Sequence, residues 1–393
     1  MQRVQRVQRV QRVHRVQRVH RVRRGHQGQP KGNVRHLTTV RFLRLFIAIA
    51  AVAGGAASAV ALERPITPTP ATATECASRD TASRVSWQAA EPTDAVELAR
   101  WCRAVGAPLF VTATPRLGTP PSLDEFVTLS WNAHLAEGRL SDLIADLRAG
   151  RLTNGRPVQH FALLVQELYR RGDGVPAFDD RDRTAFAIVP RDPAAADVED
   201  YAQSLGLSFL YVPSMRNGAE LREDRGNAII STEPLLDPMA IELPLARQRR
   251  VALTAGVMVS TPAGVGRLEL VNAHLEPLSS PRTLWVFKNP RGRQVRAILD
   301  LLDTPRFTSD AVAGVVLGGD FNTVIGGDRE EGYRHARAWS NSLQHEDARR
   351  THMMGRLDYL FFRLPAGWHG STTRLDERFG SDHYPVIGRI SRR

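Results

Sequence analysis

No acidic residue stands before Glu63, although the 393-residue chain holds 41 Asp+Glu. Thirteen of the 53 Lys+Arg residues lie within positions 1–44, so the net charge of +12 belongs largely to the N-terminus. From residue 63 onward, 40 basic residues face 41 acidic ones. That balance argues against a long basic groove of the kind that tracks a nucleic-acid backbone. Two cysteines, Cys76 and Cys102, are too few for a disulfide-rich scaffold or a four-cysteine zinc site. Aromatic residues make up 7%, and no long aromatic-rich hairpin suited to membrane insertion is evident. The 331 residues from Glu63 onward bury a large core without help from metals or disulfides.

What is present at the N-terminus is not fold-forming. Residues 2–22 are a triplet repeat, Gln-Arg-Val with two His-Arg-Val variants. Valine at every third position drifts around a helix and builds no apolar face. Residues 1–33 therefore read as a low-complexity basic repeat, solvated or translated from upstream of the true start, with a fibrous or interaction tail as the alternative. In residues 34–62, Arg35, Arg41 and Arg44 precede an uncharged run from Leu45 to Leu62. The run closes on Ala57-Ser58-Ala59 or Ala59-Val60-Ala61, the small-x-small form of a signal-peptidase site. Its Ala/Gly content is weakly apolar for a permanent span of roughly 20 residues. The expectation is a cleaved export signal, with an N-terminal membrane anchor over residues 43–62 as the alternative. Either places the following domain outside the cytoplasm, periplasmic or secreted. Residues 63–75 form a Pro/Thr linker, and residues 76–125 a Cys-bracketed N-terminal segment. In an oxidising compartment a Cys76–Cys102 disulfide is expected, the alternative being two free thiols.

From residue 126 to 393 strand and helix patterns alternate. Phe126–Leu135 alternates apolar and polar residues, and His160–Leu168 is a nearly continuous apolar run, the mark of a buried strand. Further strands are expected over 208–212, 227–231, 251–260, 267–275, 312–317, 357–363 and 385–390. Leu143, Ile144 and Leu147 share a helical face, as do Val295, Ile298, Leu299 and Leu302. Strands that follow one another without an intervening helix favour mixed sheets with helices outside. No internal domain break is visible after residue 126.

Several strand candidates end in acceptor or imidazole side chains: Asn132 and His134, Gln166 and Glu167, His274, Asp320 and Asn322, Asp358, and Asp382 with His383. Taken singly, each has an ordinary structural explanation, such as an Asx turn or a strand-edge histidine. Glu167, Asp320, Asp358, Asp382, Asn132 and Asn322, with the imidazoles of His274 and His383, form an oxygen-rich set, which selects a hard cation, Mg2+ or Mn2+, over zinc. Such a cation suits phosphate esters: it neutralises phosphate oxygens while a carboxylate activates water and imidazoles stabilise pentavalent charge.

The order and wording of SWNAHL, QE, NAHL, GGDFN, RLDY and SDHYPV resemble the endonuclease/exonuclease/phosphatase superfamily, the DNase I-like fold, over residues 126–393. The resemblance implies an α/β fold: a four-layer sandwich of two mixed β-sheets flanked by helices, with the site at one edge. It implies Glu167 as principal metal ligand, Asn132 as a site-lining amide and Asp382 as a further metal-side carboxylate. Asp320 would orient or deprotonate water, Asn322 would hold it in register, and His274 would contact phosphate. Asp358 and His383 would pair, with His383 facing the scissile phosphate. Whether the Asp320-type or the His383-type residue takes the proton stays open. His134 departs from members that carry Asp there, which places a second carboxylate ligand in doubt. Arg225 reads equally as a phosphate contact or as a surface arginine.

The expected activity is that of an exported Mg2+- or Mn2+-dependent phosphoesterase, acting on a phosphodiester or phosphomonoester that includes nucleic acid among its candidates. Lipid or small-molecule phosphodiester hydrolysis is the alternative. A catalytically silent binding module on the same scaffold, and a nucleic-acid-binding protein defined by the arginine repeat, are the readings from other classes. Local clusters at Arg247-Gln248-Arg249-Arg250 and Arg291-Gly292-Arg293 keep nucleic acid in view. Arg171-Gly172-Asp173 spells an adhesion tripeptide that chance explains. No protein partner is implied, and a monomer is expected.

Overall fold

The computed structural model describes Cys76 and residues 84–88, 92–113, 118–177, 196–218, 221–277, 290–324 and 326–392. The basic repeat, the signal or anchor segment and the linker lie outside the described residues. Among the described residues no helix is long and apolar enough to cross a membrane.

Fourteen strands are formed among the described residues: β1 (Ser86–Gln88), β2 (Leu109–Val111), β3 (Phe126–Asn132), β4 (His160–Arg171), β5 (Ser208–Arg216), β6 (Glu223–Ser231), β7 (Leu236–Glu242), β8 (Val251–Thr261), β9 (Gly264–His274), β10 (Val312–Asp320), β11 (Leu343–His345), β12 (Asp358–Arg363), β13 (Trp368–Arg374) and β14 (Val386–Arg392). They make two sheets, one ordered β1-β7-β8-β9-β10-β12 and the other β11-β13-β14-β3-β4-β6-β5-β2. Both are mixed. In the first, β9 and β10 run parallel while β10 and β12 run antiparallel; in the second, β3 and β4 run parallel and β4 and β6 antiparallel.

The continuous apolar run in β4 follows from burial on both faces. Ala162 and Leu164 join the core between the sheets, with Leu253, Leu270 and Val316 of the facing sheet. Phe161, Leu163 and Val165 point the other way, into a second core closed by Leu140, Leu143 and Leu147 of helix Leu140–Arg148 and by Val198 and Tyr201 of helix Val198–Ser204. Helices Pro290–Leu302 and Glu331–Trp339 add Val295, Ile298, Leu302, Tyr333 and Ala336 to the first core. The result is the four-layer α/β sandwich.

The segment 76–125 supplies an edge strand to each sheet: β1 pairs with β7 and β2 with β5. Cys76 and Cys102 form a disulfide that closes a loop across 26 positions, and Cys102 lies in helix Ala95–Arg103. Within the arginine clusters, Arg249, Arg250 and Arg291 are buried, whereas Arg247 is exposed. Arg249 donates to both oxygens of buried Glu242 at 3.1 and 3.0 Å, and Arg291 donates to Glu330 at 2.7 Å. These side chains therefore add nothing to an open basic surface.

Candidate active site

Strand ends converge at one edge of the sandwich. Register places Asp320 directly opposite His274 on β9 and opposite Asp358 on β12. On the other sheet Asn132 stands opposite Gln166. The pairing of β4 with β6 slips between Val165 and Leu168, and Glu167 sits in that bulge with φ +56°. A bulge re-aims a side chain out of the strand's alternation, and here it turns Glu167 toward the site. The second glycine of GGDFN has a steric reason: Gly319 adopts φ +142°, and β10 passes so close to Ala273 that any Cβ would collide with its carbonyl.

Beneath the edge, buried amides tie the two sheets together. Gln166 Nε2 donates to Asn272 Oδ1 at 2.7 Å, and Asn272 Nδ2 donates to the carbonyls of Val165 (2.9 Å) and Ala228 (2.8 Å). Asn227 Nδ2 donates to the Val251 carbonyl at 2.7 Å. Above this layer, Asn132 Nδ2 donates to Asp320 Oδ2 at 3.0 Å, again joining the sheets. The Asn322 N–H donates to Asp320 Oδ1 at 2.9 Å, and Asn322 Nδ2 donates to the Leu275 carbonyl at 3.0 Å. His274 Nε2 lies 3.5 Å from Asp320 Oδ2 and 3.9 Å from Glu167 Oε1.

His383 Nδ1 is 2.8 Å from Asp358 Oδ2, which turns Nε2 toward Asp320 Oδ2 at 3.9 Å. The surroundings lock this pair. Thr351 Oγ1 accepts from the N–H groups of Leu357 and Asp358 (2.9 and 3.1 Å), Ser381 Oγ donates to the Asn132 carbonyl (2.6 Å), and Trp131 Nε1 donates to the His383 carbonyl (3.2 Å). Asp382 stands at the mouth, between His134 Nδ1 (3.1 Å) and His352 Nε2 (3.2 Å).

Asn132, His134, Glu167, His274, Asp320, Asn322, Asp358, Asp382 and His383 thus gather at one edge. Arg225 lies on β6 opposite Tyr169 and Met215, its Nε is buried without a hydrogen bond, and its charge acts on His274. Sequence reasoning placed Arg250 only in a basic cluster and not in the site; it is buried and under the influence of Glu276, Glu167, Arg225 and Asp320. The same reasoning passed over His352, whose ring centroid lies 4.6 Å from that of His383, the two planes tilted by 31°. Neither carries a motif; Arg250 reads in sequence as one more surface arginine.

The electrostatics separate the groups. Burial and the adjacent Asp358 carboxylate push Asp320 up to about 7. Burial opposes charge on His383, but Asp358, then Asp320 and Asp382, outweigh it and raise the ring to about 10. Burial, then the charges of Arg250, His383 and Arg225, hold His274 well below its ordinary value, so that ring is neutral. Burial would raise Asp382, yet the contact with His134 and the charge of His383 keep it well below the usual carboxylate range.

The sign of the resulting pH dependence follows. In the ion-free fold Asp320 retains its proton from its ordinary 3.8 up to about 7, and His383 from 6.5 up to about 10. In both windows the folded state binds more protons than the unfolded chain, so stability falls as pH rises. The thermal midpoint in EDTA is expected to be several degrees lower at pH 9 than at pH 6, with about 2–4 °C corresponding to each kcal/mol for a large domain. A midpoint that climbs over that interval would contradict the assigned electrostatics.

The donor set fits a hard divalent cation. Glu167 and Asp320 bring carboxylates to this edge, Asn132 Oδ1 accepts the His134 N–H at 3.0 Å while its Nδ2 faces Asp320, and the buried Asp358 Oδ1 has no hydrogen-bond partner. No protein-family model and no curated protein matches the chain. Among solved structures the chain is similar to an endonuclease/exonuclease/phosphatase from Beutenbergia cavernae DSM 12333, at 17% identity over 68% of this chain and 71% of that one, with a TM-score of 0.43. It is also similar to the human Nocturnin catalytic domain with bound sulfate, at 16% identity over 73% and 98% of the two chains and a TM-score of 0.43. A third similarity is to sphingomyelinase C from Streptomyces griseocarneus, at 17% identity over 68% and 99% and a TM-score of 0.39.

Proposed function

We propose that the chain is an exported, divalent-cation-dependent phosphoesterase that hydrolyses phosphate esters by direct attack of water. One observation carries the reading: Asp320, Asp358 and His383 meet within ligand reach of one another, backed by Asn132, Asn322 and His274, on a rigid sheet edge. Mg2+ or Mn2+, held by Glu167 with Asn132, would supply the charge that neutralises phosphate oxygens.

The protein groups divide the remaining work. With a value near 7, Asp320 is poised to take the proton of the attacking water, since a base is most effective when its value lies near the working pH. The Asn132 and Asn322 hydrogen bonds fix which carboxylate lone pairs face that water. His383 is already protonated, so it serves as a cation against the developing pentavalent charge, with Asp358 holding its Nδ1 proton. Neutral His274, with Arg225 and Arg250 behind it, faces the phosphate from the Glu167 side. The P–O bond to the leaving group breaks as the water oxygen bonds to phosphorus. The export signal or membrane anchor expected over residues 34–62, together with the Cys76–Cys102 disulfide, supports action in an oxidising compartment.

A second reading, a lipid or small-molecule phosphodiester as substrate, is favoured by Met353 and Met354. These are 76% and 56% exposed, at a turn directly beside His352. A substrate panel decides between the readings: plasmid DNA, RNA, sphingomyelin and phosphoinositide vesicles, and bis-p-nitrophenyl phosphate, each with Mg2+ and with EDTA. Hydrolysis that requires Mg2+ is expected; turnover unaffected by EDTA would remove the assigned site. Replacing Met353 and Met354 by Ser is expected to reduce vesicle hydrolysis at least several-fold, leaving the soluble ester unaffected, only if the lipid reading holds.

A further inference from the structure

Arg225 lies on β6 and Arg250 immediately precedes β8, so the two arginines whose charges bear on His274 come from different sheets. Two guanidinium groups near enough to oppose each other's charge separate unless their backbones are held. The Cys-bracketed segment holds both. On the β6 side, the Gly106 N–H donates to Asp224 Oδ2 at 2.8 Å. Asp224, next to Arg225, also accepts from the Tyr211 hydroxyl at 2.8 Å and from Arg170 Nη2 at 2.6 Å, and Arg170 Nη1 donates back to the Ala107 carbonyl at 2.7 Å. On the β8 side, Asp94 Oδ2 accepts the Leu245 N–H at 2.7 Å, and Cys102 Sγ lies 3.9 Å from Glu242 Oε1.

Glu242 passes the restraint on. Its carboxylate is paired with Arg249, and both side chains are buried. Arg249 Nη1 reaches across to the other sheet and donates to the carbonyls of Pro213 (2.8 Å) and Ser214 (3.1 Å). Those carbonyls belong to the irregularity at which β5 slips against β6, opposite Gly226 and Arg225. One side chain therefore fixes the backbone next to Arg250 and the strand that faces Arg225. Fully satisfied buried networks of this kind rigidify what they touch, and losing one partner leaves an uncompensated buried charge. Cys76, Cys102, Trp87 and Arg249 line one cavity, so the disulfide is a wall against which Arg249 sits.

We propose that the segment closed by the Cys76–Cys102 bond is a positioning element for the site: through Asp224, and through Glu242 with Arg249, it sets Arg225 and Arg250 for phosphate, and cutting the bond releases them. This rests on the hydrolytic reading only in that the two arginines face phosphate. A dithiol cuts the bond by thiolate attack on one sulfur. The S–S bond breaks, the reagent closes its own disulfide, and its two protons end on Cys76 and Cys102. Both cysteines then titrate as thiols, where the oxidised chain has none free.

Inorganic phosphate is the probe, titrated calorimetrically into the full chain with Mg2+ before and after treatment with dithiothreitol. Thiol titration reports that the bond is cut, and kinetics on bis-p-nitrophenyl phosphate run alongside. Reduction is expected to weaken phosphate binding about 10–100-fold and to raise KM, with the thermal midpoint still above the assay temperature. Asp94→Ala, which leaves the disulfide intact, is expected to act in the same direction. Asp94→Asn retains an acceptor for the Leu245 N–H and is expected to restore binding. In a chain carrying Arg225→Gln with Arg250→Gln, reduction is expected to weaken binding by less than about twofold further, because effects acting through the same groups do not add. Phosphate affinity and KM unchanged while both thiols titrate would overturn the proposal, as would an equal loss on reduction in the chain lacking both arginines. Should the reduced chain unfold, the Asp94 pair decides, and wild-type affinity in Asp94→Ala would overturn it. Phosphate binding that responds to reduction in a chain without Mg2+-dependent turnover would count against the phosphoesterase reading and leave the positioning role standing.

Discussion

Asp320→Asn is expected to lower kcat about 10³-fold, with KM changed far less. The carboxylate is 2% exposed and meets Asn132, Asn322, His274 and His383 at once. Asparagine preserves size and one acceptor oxygen but has no site for the water's proton. It also turns an N–H₂ group toward either Asn132 Nδ2 or the Asn322 N–H. Steady-state kinetics on the best substrate of the panel, with saturating Mg2+, measure the effect. A variant within tenfold of wild type would show that the proton is taken elsewhere, with His383 the next candidate.

Asp358→Asn is the second large effect, expected at about 10²–10⁴-fold in kcat near neutrality. Wild-type His383 owes its raised value chiefly to Asp358, whose Oδ2 lies 2.8 Å from Nδ1. Without that charge burial dominates and the ring loses its proton at a much lower pH. The alkaline limb of the pH–rate profile, set in the wild type near the about 10 of His383, should therefore move down by two units or more. Thr351→Ser, which retains the hydroxyl that fixes the Asp358 N–H, should leave the limb in place. An unshifted alkaline limb in Asp358→Asn would mean that His383 does not act as the protonated group.

The legibility of the chain divides along physical lines. Asn132, His274 and Asp320 are legible because each closes an apolar strand; Asp358 opens one, Asn322 and His383 stand in the adjoining loops, and Glu167 follows an apolar run although β4 continues past it through a bulge to Arg171. β4 and β10 were legible as long apolar runs. β7 was not: Leu236–Glu242 contains Pro238 and slips register between Leu236 and Met239, which breaks the strand pattern. β13 was not, because Trp368–Arg374 has few apolar residues, its Gly370 and Thr372 being buried all the same. Arg250 and His352 were missed for a different reason. Burial creates their roles, and nothing in RQRR or THMMG tells a guanidinium or imidazole turned inward from one facing water. The pairing of Gln166 with Asn272 was hidden likewise, since it joins two sheets that only the folded chain brings face to face.

That pairing has a consequence in time. Asn132 and Glu167 come from one sheet, His274, Asp320 and Asp358 from the other, and the amide layer of Gln166, Asn272 and Asn227 is what clasps them. Neither sheet alone assembles a group able to handle a phosphate. If the chain hydrolyses phosphate esters as proposed, a nascent or half-docked chain is therefore expected to be silent until the two halves of the sandwich have closed on each other.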